Sequence, residues 1–290
     1  MRLRTAIFGV LLFLQSALVL TGGAVRLTGS GLGCPTWPEC TPGSYTPVPH
    51  QAEGQLHAWI EFGNRLLTFA LLFAALAAVI YVLKTGRKDL RSLAAGQVLG
   101  IIGQGVLGGI TVLTDLHPLP VAGHLLLSMF LIAGATSLYS RRHEPQIKIS
   151  APTKTLSILS LAHIFIAFIV LVLGTLVTGS GPHAGDEKAQ RFGFDIRTVA
   201  ILHADAVIFL MGLTIALLVA ASVTRSTKKA IYIFFGVSLA QGAIGYTQYL
   251  TGIPEALVAA HLAGATIFWI AAWRIRLSVV RTSQQERDRT

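Results

Sequence analysis

The chain has 290 residues, of which 53% are hydrophobic and 12% are charged, and its mean hydropathy is +0.65. A soluble globular domain carries about 25% charged residues, so this composition excludes that class and predicts an integral membrane protein. The net charge of +10 does not indicate nucleic-acid binding, because the placement of the cations gives it another meaning.

Eight apolar runs follow one another along the chain, each near the ~20 residues that a helix needs to cross a bilayer. They lie near residues 5–25, 57–83, 93–114, 121–140, 154–178, 198–222, 229–250 and 256–275. Because lipid offers no hydrogen bonds to the backbone, each run must be a helix. We therefore predict an all-α integral membrane protein with eight transmembrane helices.

The cations are distributed unevenly between the two sides of such a bundle. Eighteen of the 23 Lys and Arg residues lie before the first run, after the last, in alternate links between runs, or at the ends of runs next to those segments. By the positive-inside rule this side is cytoplasmic, so both termini are cytoplasmic. The outward-facing segments are then 26–56, 115–120, 179–197 and 251–255.

Both cysteines of the chain, Cys34 and Cys40, lie in the first outward segment, within GCPTWPEC. The outer side of a membrane is an oxidising place, and the short spacing closes a small ring, so we predict a disulfide. It is either a structural staple, worth about 2–3 kcal/mol for so short a loop, or a redox-active pair. Two thiols without a neighbouring pair of histidines are too few ligands for zinc.

The second run opens with HAWIEFGNRL (57–66), which brings four polar side chains into an apolar helix. They are His57, Glu61, Asn64 and Arg65. Their spacing of i, i+4, i+7 and i+8 puts them on one helical face. Polar residues within spans are functional hypotheses by default, so we predict that this face lines a site. The alternative is a Glu61–Arg65 pair that only neutralises two groups that are costly to bury.

The two halves of the chain contain the same motifs in the same order. The pairs are VRLTGSG (25–31) and LVTGSG (176–181), QGVLG (104–108) and QGAIG (241–245), and VAGHL (121–125) and VAAHL (258–262). The last two pairs share one offset of 137 residues, which chance rarely produces. We therefore predict two tandem pseudo-symmetric four-helix bundles of the same orientation, related by an axis along the membrane normal. The N-terminal half is 1–140, the cytoplasmic linker is 141–153, and the C-terminal half is 154–290 with a basic cytoplasmic tail.

Of the histidines within the predicted spans, His124, His203 and His261 lie in one layer, about 7–10 Å below the outer surface. Two of them, His203 and His261, are in the sixth and eighth runs, where their imidazoles can take both axial positions of one haem iron. Close helix packing is the alternative explanation for the small residues around them. The repeat places Asn64 over His203 and His124 over His261. One half therefore has two candidate ligands and suits electron transfer, whereas the other has one and leaves an iron face open for chemistry beside Glu61.

These residues resemble the haem A synthase family over nearly the whole chain. The resemblance rests on GGAVRLTGSGLGCPTWPEC, on IEFGNR, on the two VAxHL stretches and on the four-plus-four repeat. It implies a multi-pass enzyme of the bacterial cell membrane that oxidises the C8 methyl group of haem O to the formyl group of haem A, for use by cytochrome c oxidase. It also implies a haem b cofactor, and haem O synthase and the cytochrome oxidase assembly machinery as partners besides the lipid bilayer. No nucleic acid is expected, and a homo-oligomer is left open.

The resemblance assigns roles to individual residues. The C-terminal imidazole pair would hold haem b, while His124 would bind the iron of the substrate haem in a pocket with Asn64 and Arg65. Glu61 corresponds to an acidic residue that is implicated in catalysis. The cysteine pair corresponds to one in the family, which favours a redox role.

Two features depart from the family pattern. Asn64 stands where the family has a histidine, and His57 is two turns, about 10 Å, away, so it is not expected to substitute. The third outward segment, GPHAGDEKAQRFGFD, has no cysteines, whereas some members carry a second pair there. Two other functions are kept in view: a di-haem membrane protein that carries electrons from quinol, and a haem-binding factor for oxidase assembly.

Overall fold

The computed structural model describes residues 2–143, 154–220 and 225–287. Residues 144–153, which form most of the predicted linker, lie outside the described residues. The described part is helical apart from its loops, one short 3-10 turn and one isolated bridge between Thr41 and Ser44. Within it, eight helices are long and apolar enough to cross a membrane. The predicted all-α class with eight transmembrane helices is confirmed.

The helices run in chain order as follows: α1 (Arg2–Leu27), α2 (Gln55–Lys84), α3 (Arg91–Leu113), α4 (Pro118–Ser140), α5 (Lys154–Ser180), α6 (Ile196–Val219), α7 (Arg225–Leu250) and α8 (Glu255–Arg287). The 3-10 turn, Lys88–Leu90, precedes α3. The predicted bounds agree within a few residues except at the end of α8. Hydropathy predicted an end near residue 275, because it detects the apolar part of a helix and not its polar continuation.

Local sequence sets several helix ends. His117 lies just before Pro118 at the start of α4, and its Nδ1 accepts a hydrogen bond of 3.3 Å from the Leu119 N–H. Asp195 caps α6 similarly, since its carboxylate accepts the Thr198 N–H at 2.9 Å. These caps satisfy backbone donors that the first turn of a helix leaves free.

Each half packs as a bundle of four neighbouring helices. In the first half α1 and α3 both pack on α2 and α4; in the second, α5 and α7 both pack on α6 and α8, α7 more lightly on α6. The halves meet where α8 packs on α1 and α4, and where α4 packs on α5. One apolar core fills α1–α4 and another fills the space between α4 and α5–α8. The predicted arrangement of two tandem four-helix bundles is confirmed.

Two tryptophans of α8 fasten the halves together. Trp269 Nε1 donates to the backbone oxygen of Met129 in α4 at 2.6 Å, and Trp273 Nε1 donates to Ser137 Oγ at 2.7 Å. Trp269 is buried. An indole provides a large apolar surface and one N–H donor, so these residues both fill the seam and satisfy polar atoms across it.

Two long loops at one end of the molecule, 28–54 and 181–195, also join the halves. We call this end the disulfide end. There Arg26, the last cation of α1, donates to the backbone oxygens of His183 and of Thr178, the latter at 2.7 Å. The Gly31 N–H donates to the Gly185 oxygen at 2.9 Å. The two loops are therefore held against each other.

We expect Trp269→Phe to lower the melting temperature of the purified protein by about 2–4 °C, because it removes one buried hydrogen bond worth about 1 kcal/mol. Thermal unfolding in detergent measures this. Trp59→Phe is the control, since Trp59 is half exposed on the surface of α2 and should cause little change. Equal melting temperatures for the two variants would contradict the role of the Trp269 bond.

Candidate functional site

The rings of His203 in α6 and His261 in α8 face each other in the second half, with centroids 6.4 Å apart and planes at 66°. An imidazole nitrogen binds a transition metal at about 2 Å, and the ring centre lies about 1 Å behind it, so two imidazoles that share a metal have centroids about 6 Å apart. The observed spacing fits two axial ligands of one iron. Two side chains are too few for zinc, whereas a haem brings its remaining ligands with it.

The ring nitrogens of the pair are differently engaged. Nδ1 of His203 lies 3.0 Å from the backbone oxygen of Val170 in α5, so it must carry the proton, and Nε2 keeps its lone pair for a ligand. Nδ1 of His261 is buried, and in the described part of the chain it has no hydrogen-bond partner. Neither Nε2 atom has a partner among the described residues. The pair therefore has the free donor atoms that an iron requires.

Small residues leave room around the pair. A Cβ on Gly174 would approach His203 Cε1 to 3.4 Å, and a Cβ on Gly245 would approach His261 Cε1 to 3.1 Å. In addition, α6 packs closely on α5 but lightly on α7, whereas their counterparts α2 and α3 pack closely. The second half is thus packed more loosely between α6 and α7 than the first half is between α2 and α3. The small residues around the two imidazoles fit a flat macrocycle between them.

The equivalent position in the first half is built differently. Asn64 in α2 accepts a hydrogen bond of 2.7 Å at Oδ1 from the Thr21 hydroxyl in α1. His124 in α4 lies beside Gly108, where a Cβ would come within 3.2 Å of its Nε2. The His124 ring is within hydrogen-bonding reach of the backbone of Gln104 in α3. The first half therefore has one imidazole, and at the position that the repeat equates with His203 it has an amide that α1 holds in place.

A glutamine braces the ligand-bearing helix in each half. Gln104 Nε2 in α3 donates to the backbone oxygen of His124 at 3.1 Å, and Gln241 Nε2 in α7 donates to that of His261 at 2.8 Å. Gly264 makes this approach possible, since a Cβ there would collide with the Gln241 amide. The repeat predicts that the two motifs correspond between the halves but does not predict that the Gln and the His of each half touch. The common separation of 20 residues between the Gln and the His in both halves was the available signal.

Glu61 and Arg65 hold the disulfide loop onto α2. Glu61 is 6% exposed; its Oε2 accepts the Cys34 N–H at 2.7 Å and its Oε1 accepts Arg65 Nη2 at 2.6 Å. Arg65 also donates to the backbone oxygens of Cys34, Thr36 and Glu39, at 2.9, 3.1 and 3.2 Å. The Glu61–Arg65 ion pair therefore does more than neutralise two buried charges, because it also holds the candidate catalytic carboxylate of Glu61 against the loop that carries the cysteines.

The loop itself is cross-linked as predicted. Cys34 and Cys40 form a disulfide, and both are fully buried. Trp37, between them, packs on Gly109 of α3, where a Cβ would meet the indole ring at 2.6 Å. The loop therefore covers the space between α2 and α3 at the disulfide end. Whether the pair is a staple or a redox couple stays a prediction.

His57 contacts the loops. Its Nδ1 lies 2.9 Å from the hydroxyl of buried Ser30. With Glu53, Asp186 and Lys188 it lines a polar cavity of about 270 Å³ at the disulfide end. This cavity lies between loops 28–54 and 181–195 and is lined by neither His203 nor His261.

His163 has a structural role. It is fully buried in α5, and its Nε2 lies 3.1 Å from Thr214 Oγ1 in α6. The Thr214 hydroxyl donates to the Leu210 oxygen at 2.7 Å, so the imidazole is the donor in the bond between them. The ring meets Phe234 edge-on, with centroids 4.8 Å apart. This contact ties α6 to α5 and accounts for a histidine that the repeat does not share.

Known proteins resemble this chain over most of its length. Residues 5–185 match the COX15-CtaA family model, which is described as cytochrome oxidase assembly protein. A heme A synthase of Shewanella oneidensis is 25% identical over 295 residues, which cover 86% of this chain and 88% of the relative. A heme A synthase of Sinorhizobium fredii is 26% identical over 323 residues, which cover 91% and 87%. A heme A synthase of Geobacillus kaustophilus is 31% identical, but over 88 residues that cover 30% of this chain.

We expect Gln241→Leu to weaken haem retention at the imidazole pair and to change the low-spin electron paramagnetic resonance signal, because the turn that carries His261 loses its hydrogen bond from α7. Gln104→Leu is the matched control, since it removes the same brace in the first half. It should leave that signal unchanged. Identical spectra for the wild type and Gln241→Leu would show that the brace does not orient His261.

Proposed function

Because this chain belongs to the cytochrome oxidase assembly protein family, we propose that it is a haem A synthase, which oxidises the C8 methyl group of haem O to the formyl group of haem A. The observation that carries the proposal is the asymmetry of a duplicated site. The second half has two facing imidazoles with centroids 6.4 Å apart, whereas at the two equivalent positions of the repeat the first half has one imidazole, His124, and one amide, Asn64. The relatives named heme A synthase support the same reaction.

The second half would serve as the electron-transfer site, in which the imidazoles of His203 and His261 would hold a haem b. When bound, haem b would supply one-electron redox chemistry. The Val170 oxygen orients the His203 ring and keeps its Nε2 available. Gln241 fixes the turn of α8 that carries His261. These contacts hold both ligands in place before the cofactor arrives, which reduces the reorganisation that accompanies each electron.

The first half would bind the substrate. His124 would ligate the iron of haem O, while Asn64, a weak ligand held by Thr21, would leave the opposite axial position open. The methyl group would be oxidised twice, through an alcohol to a hydrate that loses water to give the formyl group. Each oxidation replaces a C–H bond by a C–OH bond; with water as the oxygen donor, it releases two electrons and two protons, and an external electron acceptor must take up the electrons. The pocket therefore needs both a path for electrons and a group that handles protons.

Glu61 would be that proton-handling group. A carboxylate has about four acceptor sites, and the Cys34 N–H together with Arg65 occupies three of them. The remaining site can orient a water molecule or receive a proton. Because Arg65 also binds the backbone of the disulfide loop, the position of the Glu61 carboxylate depends on that loop, which gives the cysteine pair a route to influence catalysis.

The orientation proposed from the cations fits this assignment. With both termini in the cytoplasm, the disulfide end faces outward in the cell membrane, and Cys34 and Cys40 lie in an oxidising compartment. The helical ends that hold the substrate site then lie near the outer surface. Haem O synthase and the oxidase assembly machinery would be the functional neighbours, the one supplying the substrate and the other receiving the product.

Expression in a host that makes haem O but lacks haem A tests the reaction. We expect haem A in the extracted pigments and a pyridine haemochrome spectrum of haem b from the purified protein. Unchanged haem O would reject the enzyme and favour a membrane electron carrier or an assembly factor. His203→Ala and His261→Ala should each remove the haem b spectrum, and full pigment in the double variant would contradict the ligand assignment.

Glu61→Gln should lower haem A formation by about a hundredfold or more, because it removes the proton-accepting carboxylate while keeping its size and a hydrogen-bonding oxygen. Haem b content should stay at the wild-type level. Glu53→Gln is the control, since Glu53 lines the cavity at the disulfide end and has no part in the proposed chemistry. Normal haem A formation by Glu61→Gln would remove this carboxylate from the mechanism.

A further inference from the structure

α6 carries a carboxylate on the face that points away from its own bundle. Asp205 is exposed, and within the described residues no hydrogen bond or ion pair reaches it. It lies nine residues after the start of α6 at Ile196, about 14 Å along the helix axis. An ionisable side chain at such depth is expensive in lipid and normally faces a partner.

The surroundings of Asp205 form one continuous helix face. Residues at heptad and i+4 spacing from it share its direction, and all are exposed: Ile201, Ile208, Phe209, Gly212, Ala216 and Val219. The buried residues of α6, namely Val199, Leu210, Thr214 and Leu217, lie on the opposite side, as does His203. We call the exposed set the α6 outer face.

The residue that corresponds to Asp205 in the first half is apolar. The repeat that places Asn64 over His203 places Leu66 over Asp205, and Leu66 is also exposed, at 50%. A leucine is stable against acyl chains, whereas an aspartate there is not. The difference between the halves therefore concerns the outside of the bundle and not the site between the imidazoles.

The α6 outer face also has the small residues that let another helix approach. Gly212 and Ala216 have the small-xxx-small spacing of membrane helix contacts, and a Cβ built on Gly212 would meet no atom within 4 Å. They lie seven and eleven residues after Asp205, on the same face. A helix packed against them would also cover the carboxylate.

We propose that the α6 outer face docks a transmembrane helix of a second protein that presents a Lys or Arg side chain at the depth of Asp205. A second copy of this chain does not meet the requirement. Its Arg26 and Arg65 are bound to backbone oxygens of their own chain, and Arg197 is eight residues, about 12 Å along the axis, closer to the disulfide end. Two copies joined through this face would also bring two carboxylates together. This inference does not depend on the reaction that the protein catalyses.

A defined probe tests the charge requirement. We compare two synthetic transmembrane peptides, identical except for one Lys or one Leu at the corresponding depth, for association with the labelled full-length protein in lipid vesicles. We expect the Lys peptide to bind about five- to tenfold more tightly than the Leu peptide, and Asp205→Leu to abolish that difference. Equal binding of the two peptides by the wild type overturns the proposal. Asp205→Leu copies the residue at the equivalent exposed position, and its haem content and melting temperature check that it is folded.

Photocrosslinking in the native membrane tests for the partner itself. Benzoylphenylalanine replaces Ile208 on the α6 outer face or, as the matched control, Phe69 at the equivalent position of α2, which is 59% exposed. We expect the Ile208 probe alone to give a protein adduct whose crosslinked helix carries a Lys or Arg. Asp205→Leu should lower its yield at least tenfold, and exchanging the two charges between the proteins should restore it. Adducts with lipid only, with a second copy, or with a yield indifferent to Asp205 overturn the proposal.

Discussion

A polar side chain that enters the membrane must find its partner inside the protein, because the lipid provides none. This chain meets the requirement with a small number of buried hydrogen bonds. Gln15 donates to Gln97, which donates to the Leu131 oxygen, at 2.9 and 3.0 Å, and so links α1, α3 and α4. In the described part of the chain the ring nitrogens that would face an iron are among the exceptions, as are Asp205 and some buried hydroxyls such as that of Ser238. At the imidazole pair and at Asp205 the missing partner supports the proposals that something else binds there.

Duplication gave the two halves the same framework, and a few substitutions gave them different sites. In both halves a glutamine fixes the turn that carries a histidine, and a glycine four residues further along leaves room for the ring. Where the second half has His203, the repeat places Asn64 in the first half. The orienting contact changes with it, from the Thr21 hydroxyl to the Val170 backbone oxygen. The framework is thus compatible with both a full and an open iron.

The sequence predicts those features that depend on length, period and repetition. Eight spans follow from apolar runs, and the facing of His203 and His261 follows from the repeat, because homologous helices of one bundle place equal depths together. Contacts that depend on packing direction are not accessible in this way. The bond from the Cys34 N–H to Glu61 joins a loop to a helix 27 residues away, and no pattern encodes it. The exposure of Asp205 is likewise not predictable from the pattern. Asp205 follows His203 by two residues and therefore lies on the opposite face of α6, and only the packing of α6 decides which face is covered.

If both proposals hold, α6 is the helix that would connect the surroundings of the protein with the proposed electron-transfer site. α6 is held mainly by α5, through the His163–Thr214 contact and the His203–Val170 contact, and it packs lightly on α7. A helix with few contacts on one side is free to shift by small amounts until a ligand or a neighbour fixes it. Between the two imidazoles a haem would fix its inner face, and a basic helix at Asp205 would fix its outer face. Because both would act on one helix, the binding of either one would lower the cost of ordering α6 for the other.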